Sequence, residues 1–327
     1  MAKYFKIAIL IFVSLVGLLY AFENIEFSEL LHHLYAVDIF KFSLSIIILI
    51  FACFLRAKRL KYLAAPIDKN ISTHHLFGAT MIGYFGNGIL FFRLGELLKA
   101  YAISQGKKLK PSESFGLIML ERLIDSLSVF FFLIITLPFL PLENQTIRFW
   151  IIGFVAITIS FIGVLIILRF LNWGYLLNYL QFLKTSYKNK IVDLINKVFS
   201  GIELVFRTEN KIKILVSTFL IWLCYFLMTK WLLESCNIQL SLVDSFIMLI
   251  MGAIIIAVPA LPGGLGTYEA GITYTLTYLF FVSKDLALTY AIVSHTSNYL
   301  PYILIGSIYF IKSGLKISSV NSGRVQK

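Results

Sequence analysis

Three short clusters of charged residues lie within long apolar stretches, and they are where chemistry is expected. They occupy residues 93–96 (Arg-Leu-Gly-Glu), 121–125 (Glu-Arg-Leu-Ile-Asp) and 262–269 (Pro-Gly-Gly-Leu-Gly-Thr-Tyr-Glu). A charged side chain inside a bilayer is costly and usually has a function. The arginines predict phosphate binding, because a planar guanidinium can bind two phosphate oxygens at once.

The first two clusters allow two interpretations. Arg93 and Glu96 are three residues apart, Arg122 and Asp125 likewise, and Glu121 and Asp125 share one helix face. Such ion pairs can simply lock neighbouring helices together. Alternatively, Arg93 and Arg122 bind an anionic headgroup, while the three acids act in gating or proton coupling.

The third cluster combines a helix break with an acid. Gly263, Gly264 and Gly266 expose backbone amides, and a helix start nearby offers a positive dipole end to an anion. Glu269, one turn further on, can take up a proton, bind an amine headgroup, pair with a buried arginine or cap the break. His295, in the middle of a later apolar run, suits either a proton relay or a hydrogen-bonded packing role.

Other chemistries have little support in the sequence. It contains no Walker A motif, nucleophile elbow or metal-ligand spacing, so no catalytic residue, cofactor or metal is predicted. The formal net charge is +12, but the basic residues lie in short clusters between apolar runs. That distribution is typical of cytoplasmic membrane loops rather than of a nucleic-acid-binding surface.

The elements that must position these clusters are membrane helices. Of the 327 residues, 59% are hydrophobic and only 14% are charged, whereas soluble domains carry about 25% charged residues. A helical span needs about 20 apolar residues. The sequence therefore predicts an all-α polytopic membrane protein with six full transmembrane helices, at 7–22, 39–55, 114–138, 149–170, 212–233 and 286–311.

Two further apolar stretches are interrupted. Residues 76–92 carry Gly83, Gly86 and Gly88, and residues 245–281 carry the prolines and glycines of the third cluster. Because glycine and proline at this density break helices, both stretches are predicted to be re-entrant or discontinuous segments.

Charge asymmetry orients the chain. Basic residues mark the loop 56–69, the stretch 99–110 and the loop 171–211, whereas 23–38 and 139–148 are acidic or nearly neutral. The positive-inside rule then places both termini in the cytoplasm, with the chain in the inner (cytoplasmic) membrane. Within the third basic loop, 184–207 is amphipathic, and it forms either a surface helix or a plain connector helix.

This topology makes residues 1–148 and 149–312 inverted repeats, followed by a cytoplasmic tail at 313–327. In transporters, interrupted segments at matching positions of two repeats point to a binding site near the membrane midplane. Glu96 and Glu269 then approach the midplane from opposite sides. A buried carboxylate must pair or take up a proton, so Glu269 is expected to reach Arg93 or Arg122 or to stay protonated.

The three clusters together resemble the flippase-like membrane domain of the lysylphosphatidylglycerol synthase family. Its blocks read Arg-x-Gly-Glu, Glu-Arg-x-x-Asp and Pro-Gly-Gly-x-Gly-x-x-Glu, and their order and spacing fit nearly the whole chain. His295 stands where relatives are expected to carry arginine. Aminoacyl-transferring relatives have a large soluble domain after the membrane part, so lysyl transfer is not expected of this chain.

The resemblance implies movement of an anionic phospholipid or a polyprenyl-phosphate-linked lipid between leaflets for envelope assembly. The alternatives are a membrane-embedded transferase and an accessory subunit in lipid-linked glycan synthesis, and enzymes of lipid or glycan biosynthesis are possible partners. In the transferase, Glu121 and Asp125 would serve as base or metal ligands. Transport is favoured over catalysis, because the sequence lacks an Asp-x-Asp motif and a sizeable aqueous domain.

Overall fold

The computed structural model describes residues 2–140, 145–170, 192–193, 196, 199–258 and 260–315, and its regular structure there is entirely helical. The helices are α1 (Ala2–Phe22), α2 (Phe27–Tyr35), α3 (Ile39–Ala64), α4 (Thr73–Ile89), α5 (Gly95–Ser104), α6 (Pro111–Thr136), α7 (Gln145–Phe170), α8 (Leu204–Arg207), α9 (Lys211–Ser235), α10 (Leu242–Ala257), α11 (Thr267–Phe280) and α12 (Lys284–Ser313). The prediction of an all-helical chain is confirmed for these ranges.

Each predicted span falls on a helix, but the helices differ in how well they suit a bilayer. In the described part of the chain, α3 and α9 are long and apolar enough to cross a membrane. The bent pair α1–α2, with an angle of 87° between its halves, adds a third if it counts as one span. Helix α6 carries the whole charged cluster 121–125, so its apolar length is interrupted. The number of full spans therefore stays a prediction.

The first interrupted segment is a helical hairpin, but its glycines do not break it. Helix α4 runs through all three glycines to Ile89, and the chain turns at residues 90–94. Helix α5 returns along α4, with Gly95 against Gly86 and Lys99 against Gly83. The expectation that these glycines interrupt the helix is therefore wrong: a side chain at Gly83 or Gly86 would meet α5, and one at Gly88 would meet α12.

This close packing predicts a severe effect of Gly95→Ala. The new Cβ would lie 2.2 Å from the Gly83 carbonyl oxygen and 2.3 Å from the Asn87 amide nitrogen, and neither backbone atom can move aside alone. We expect destabilisation of at least ~1–3 kcal/mol, as is usual for overpacking. Gly153→Ala is the matched control, since nothing lies within 4 Å of its added Cβ. Thermal unfolding of both purified variants tests this, and equal midpoints would contradict the packing argument.

The second interrupted segment is also a hairpin, and here the predicted break is confirmed. Helices α10 and α11 run antiparallel, with Gly271 against Ile255 and Gly252 near Ile272. Between them lies a 3₁₀ turn at Pro262–Gly264. At Gly266 the φ angle is 84°, and a Cβ would lie 2.1 Å from a backbone oxygen of α1, so only glycine fits.

The tips of the two hairpins lie against each other and against α12. The Arg93 guanidinium donates to the Ile256 carbonyl at the end of α10. From α12, the Tyr299 hydroxyl donates to the Gly88 carbonyl at 3.2 Å, and its ring lies against Gly263. The two turns and α12 therefore enclose a common space.

Two assignments based on basic loops need correction. Helix α3 continues to Ala64, so Arg56 and Arg59 are buried helical residues and not loop residues. Lys99 lies in α5 and is also buried. Hydropathy falls at residue 56 because these cations enter the sequence, although the helix does not end there.

Parts of three other predicted segments lie outside the described residues. They include half of the amphipathic stretch 184–207, residues 141–144 of the predicted outer loop, and the tail beyond Leu315. At the described end of the amphipathic stretch, Leu204 is buried, and the following Thr208 donates from its hydroxyl to the Tyr62 carbonyl at 2.9 Å. That end therefore packs on the bundle.

Candidate functional site

A cavity of about 730 Å³ lies beside the hairpin tips. Its polar lining comes from Arg56, Asn87, Arg93, Glu96, Arg122, Asp125, Ser126, Thr229, His295 and Asn298. Its aromatic lining comes from Tyr84, Phe92, Phe154, Trp222, Tyr225, Tyr268, Tyr290, Tyr299 and Tyr302. Most of the remaining lining residues are aliphatic or glycine, including Gly263 and Gly264. The cavity can therefore accept a ligand with both a charged and an apolar part.

A buried ionic network forms one wall. Glu121 and Asp125 project from the same face of α6, as their spacing predicted. The Arg56 guanidinium donates to Glu121 Oε1 at 2.9 Å and to Asp125 Oδ2 at 2.8 Å. Arg59 donates to Asp125 Oδ1 at 2.8 Å, and Lys99 Nζ donates to Glu121 Oε2 at 2.6 Å. Helices α3, α5 and α6 are joined through these contacts.

Each carboxylate oxygen of Glu121 and Asp125 accepts a hydrogen bond within the network. Glu121 is 1% exposed, and the side chains of Arg59 and Lys99 are 0% and 2% exposed. A buried charge is tolerable only when it is paired and hydrogen-bonded. The Arg56 Nε group adds a bond of 2.6 Å to the Tyr225 hydroxyl on α9. This geometry favours the helix-locking interpretation of the two acids over a gating role.

The ion pairs expected within the clusters, Arg93 with Glu96 and Arg122 with Asp125, do not form. Asp125 pairs with the arginines of α3, and Arg122 instead contacts Glu96 Oε1 at 3.2 Å. Arg93 does not pair with Glu96, because Phe92 and Arg93 have φ angles of 59° and 54°. These angles place Arg93 in the turn, outside the helical geometry that a three-residue spacing requires.

Several polar atoms around Arg122 remain without a partner. Asn87 Nδ2 donates to Glu96 Oε1 at 3.2 Å. Arg122 Nε, Glu96 Oε2 and Asn87 Oδ1 are buried and form no hydrogen bond. Unsatisfied buried polar atoms are uncommon in native proteins, and they are often explained by a missing water or ligand.

Glu269 has a different partner from the one expected. It pairs with His295 Nδ1 and does not reach either arginine. Its other oxygen accepts from the Gly266 amide at 2.7 Å, so Glu269 also caps α11. His295 lies one helix away in the same half of the chain, and this proximity removes the need for a partner from the first half. Glu269 itself does not line the cavity, whereas His295 does.

The bonding of His295 fixes the number of protons in this pair. Nε2 lies 3.0 Å from the Gly263 carbonyl, which can only accept a hydrogen bond. Nε2 therefore carries a proton. The Nδ1···Glu269 contact then needs a second proton, on Nδ1 or on the carboxyl group. The pair is thus neutral overall, either as imidazolium with carboxylate or as imidazole with carboxylic acid.

This proton count predicts different effects for two substitutions of Glu269. Glu269→Gln can donate its amide to a neutral His295 Nδ1 and still accept from Gly266, so we expect near-normal stability. Glu269→Ala loses both contacts and leaves His295 Nδ1 buried and unpaired, which should cost ~2–4 kcal/mol. Thermal unfolding separates the two variants. If both melted alike, the shared proton and the cap would be ruled out as stabilising features.

The cavity brings many of the predicted residues together. It is lined by Arg93, Glu96, Arg122, Asp125, Gly263, Gly264 and His295, with Glu121 and Glu269 bonded to lining residues. Sequence reasoning missed Arg56, Arg59 and Lys99 as site residues. One signal was present: Arg56 and Arg59 are three residues apart and follow an apolar helix directly, as expected for one polar face.

A helical bundle with apolar candidate spans and two hairpins around a charged internal cavity defines an integral membrane protein. The sequence matches the lysylphosphatidylglycerol synthase TM region over residues 6–306, and the chain belongs to that family. A function related to membrane lipids follows from this membership. No curated protein and no solved structure matches the chain.

Proposed function

We propose that the protein binds the anionic headgroup of a lipid in this cavity and moves that lipid between the leaflets of the inner membrane. One observation carries the proposal. Arg93 and Arg122 line a cavity whose other walls are largely aromatic and aliphatic. Such a lining is complementary to a phosphate group attached to an apolar chain.

The two arginines have binding capacity to spare. The described residues offer Arg93 one hydrogen-bond acceptor, the Ile256 carbonyl, and no carboxylate ion pair. Arg122 contacts Glu96 through one terminal nitrogen, and its Nε is unpartnered. A guanidinium carries five N–H donors, and a phosphate can accept several of them.

The element order supports a transporter with two repeats, residues 1–148 and 149–312. Helices α1, α3, the α4–α5 hairpin and α6 in the first repeat correspond to α7, α9, the α10–α11 hairpin and α12 in the second. If the chain has six spans, cytoplasmic termini and hairpins inserted from opposite sides, the two repeats have inverted topology. Rocking of one repeat against the other would then open the cavity to each leaflet in turn.

The arrangement of the acids disfavours the transferase alternative. Glu121 and Asp125 each accept bonds from buried cations, at distances down to 2.6 Å and 2.8 Å. A general base or a metal-binding carboxylate needs free lone pairs, and these acids have few to offer. An accessory role in lipid-linked glycan synthesis requires no translocation and is an outcome of the test below.

The test is reconstitution into liposomes that contain a fluorescent anionic phospholipid in both leaflets. Translocation is measured as the fraction of dye that a membrane-impermeant quencher reaches over time. We expect loss of signal well beyond the outer-leaflet half, and a slower rate for Arg93→Gln. Turnover of a sugar donor is measured in parallel. If quenching stopped at the outer leaflet for a range of anionic lipids, the translocation proposal would fail. Sugar turnover would then identify a transferase, and its absence would favour the accessory role.

A further inference from the structure

Resting on the proposed function, we infer that the cavity selects a headgroup with two negative charges, a phosphomonoester or a diphosphate. A phosphodiester headgroup, which carries one negative charge, is then a poor ligand.

The charge inventory gives an excess of two. The buried network holds three cations, Arg56, Arg59 and Lys99, against two carboxylates, Glu121 and Asp125, which leaves +1. Beside it, two further arginines stand against one carboxylate, Glu96, which leaves another +1. The His295–Glu269 pair shares one proton and adds nothing.

The two excess charges act on the same space. Arg56 and Asp125 of the buried network line the cavity together with Arg93, Glu96 and Arg122. The last three residues also interact electrostatically, and the two guanidinium groups repel each other. Uncompensated charge is costly away from bulk water. A dianion compensates both excess charges, a monoanion leaves one, and a zwitterion leaves both.

The free donors match a terminal phosphate. A phosphomonoester presents three acceptor oxygens and about two negative charges near neutral pH, whereas a phosphodiester presents two unesterified oxygens and one charge. The donors available to it are the unbonded N–H groups of Arg93 and the unpartnered Nε of Arg122. The aromatic and aliphatic lining suits the first part of the attached apolar chain.

Native mass spectrometry of the full chain with lipids of identical acyl chains measures this preference. The probes are phosphatidic acid, a phosphomonoester, phosphatidylglycerol, a phosphodiester, and zwitterionic phosphatidylcholine. We expect phosphatidic acid to bind about tenfold tighter than phosphatidylglycerol or more, in line with one additional charged hydrogen bond. Equal affinities for these two lipids would overturn the inference.

Inorganic phosphate and pyrophosphate separate the lipid from a soluble source of the same chemistry. If either anion displaces phosphatidic acid at concentrations far below those of competing sulfate, the dianion site is supported and the apolar chain is not essential. If neither anion competes but phosphatidic acid still outcompetes phosphatidylglycerol, the site is also supported, and its ligand is a lipid.

Arg93→Gln and Arg148→Gln form a matched pair of charge-removing variants. Arg148 is an exposed residue of α7 that does not line the cavity. We expect Arg93→Gln to reduce the preference for phosphatidic acid to within about threefold, Arg93→Lys to keep most of it, and Arg148→Gln to leave it unchanged. A preference that survived in Arg93→Gln would overturn the charge-count argument.

The same liposomes distinguish this failure from failure of the proposed function. Translocation of anionic lipids without any preference for the phosphomonoester refutes the dianion inference alone. Loss of translocation for every lipid, with the binding preference intact, refutes the transport proposal and leaves a dianion-binding membrane protein.

Discussion

Glu121→Ala is expected to prevent most of the protein from folding. The carboxylate accepts from Arg56 at 2.9 Å and from Lys99 at 2.6 Å, and Arg59 lies 3.5 Å away. Without it, three buried cations share the single carboxylate of Asp125. Removing one partner of a buried ion pair costs ~3–5 kcal/mol, and here more than one cation loses its partner. The total stability of a domain is only ~5–15 kcal/mol.

Lys99→Met and Glu121→Ala each remove one end of the same ion pair. Lys99→Met removes the surplus cation and leaves Arg56 and Arg59 against two carboxylates, so the network becomes electrically balanced. We therefore expect Lys99→Met to be much less damaging than Glu121→Ala, although both break the same bond of 2.6 Å. Glu209→Ala, at an exposed acid, is the control.

The measurement is the yield of monodisperse protein in size-exclusion chromatography, together with the thermal unfolding midpoint. Glu121→Ala is expected to lose most of the monodisperse peak, while Glu209→Ala matches the wild type. Equal losses in Lys99→Met and Glu121→Ala would show that volume or hydrogen bonding, and not charge balance, sets the stability of the network.

Sequence patterns predicted the acid half of this network but not its basic half. A spacing of four residues placed Glu121 and Asp125 on one face of α6, because helix geometry alone decides that. The sequence predicts a loop at Arg56 and Arg59, because a hydropathy window ends where charged residues begin. Whether a helix continues beyond that point depends on partners from α6 and α9, which are distant in sequence.

The structural role of a glycine likewise could not be predicted from its residue type alone. In 245–281, Gly263, Gly264 and Gly266 have positive φ angles and lie at the break between α10 and α11. In 76–92 the glycines lie inside a regular helix, where Gly83 and Gly86 admit α5 and Gly88 admits α12. Glycines that break a helix and glycines that allow close helix packing therefore occur at similar density in the sequence. Prolines accompany the glycines only in the second stretch, and this difference was available in the sequence.

The partner of Glu269 was missed for a related reason. Its spacing from Gly266 allowed the helix cap, which the structure has, because both residues are local. His295 is 26 residues further along, and only the packing of α12 against α11 brings it to the carboxylate. Local geometry was therefore predictable, while contacts between helices were not.

Arg122→Lys is expected to reduce lipid translocation about 10- to 100-fold without loss of folded protein. Arg122 NH2 lies 3.2 Å from Glu96 Oε1, and the unpartnered Nε remains for a ligand. Lysine retains the charge but has a single ammonium group. Its donors would be directed to Glu96, so the phosphate would lose its bidentate partner while the internal ion pair remained.

The liposome quenching rate, normalised to the amount of reconstituted protein, measures this effect, and Arg148→Lys serves as the control for the same chemical change at an exposed position. Arg122→Gln should be as slow as Arg122→Lys or slower, since it loses both the charge and the fork. Wild-type translocation by Arg122→Lys at normal expression would exclude bidentate headgroup binding by Arg122. A loss of monodisperse protein in Arg122→Lys would instead assign a structural role to the guanidinium group itself, because the charge and the ion pair with Glu96 are retained in that variant.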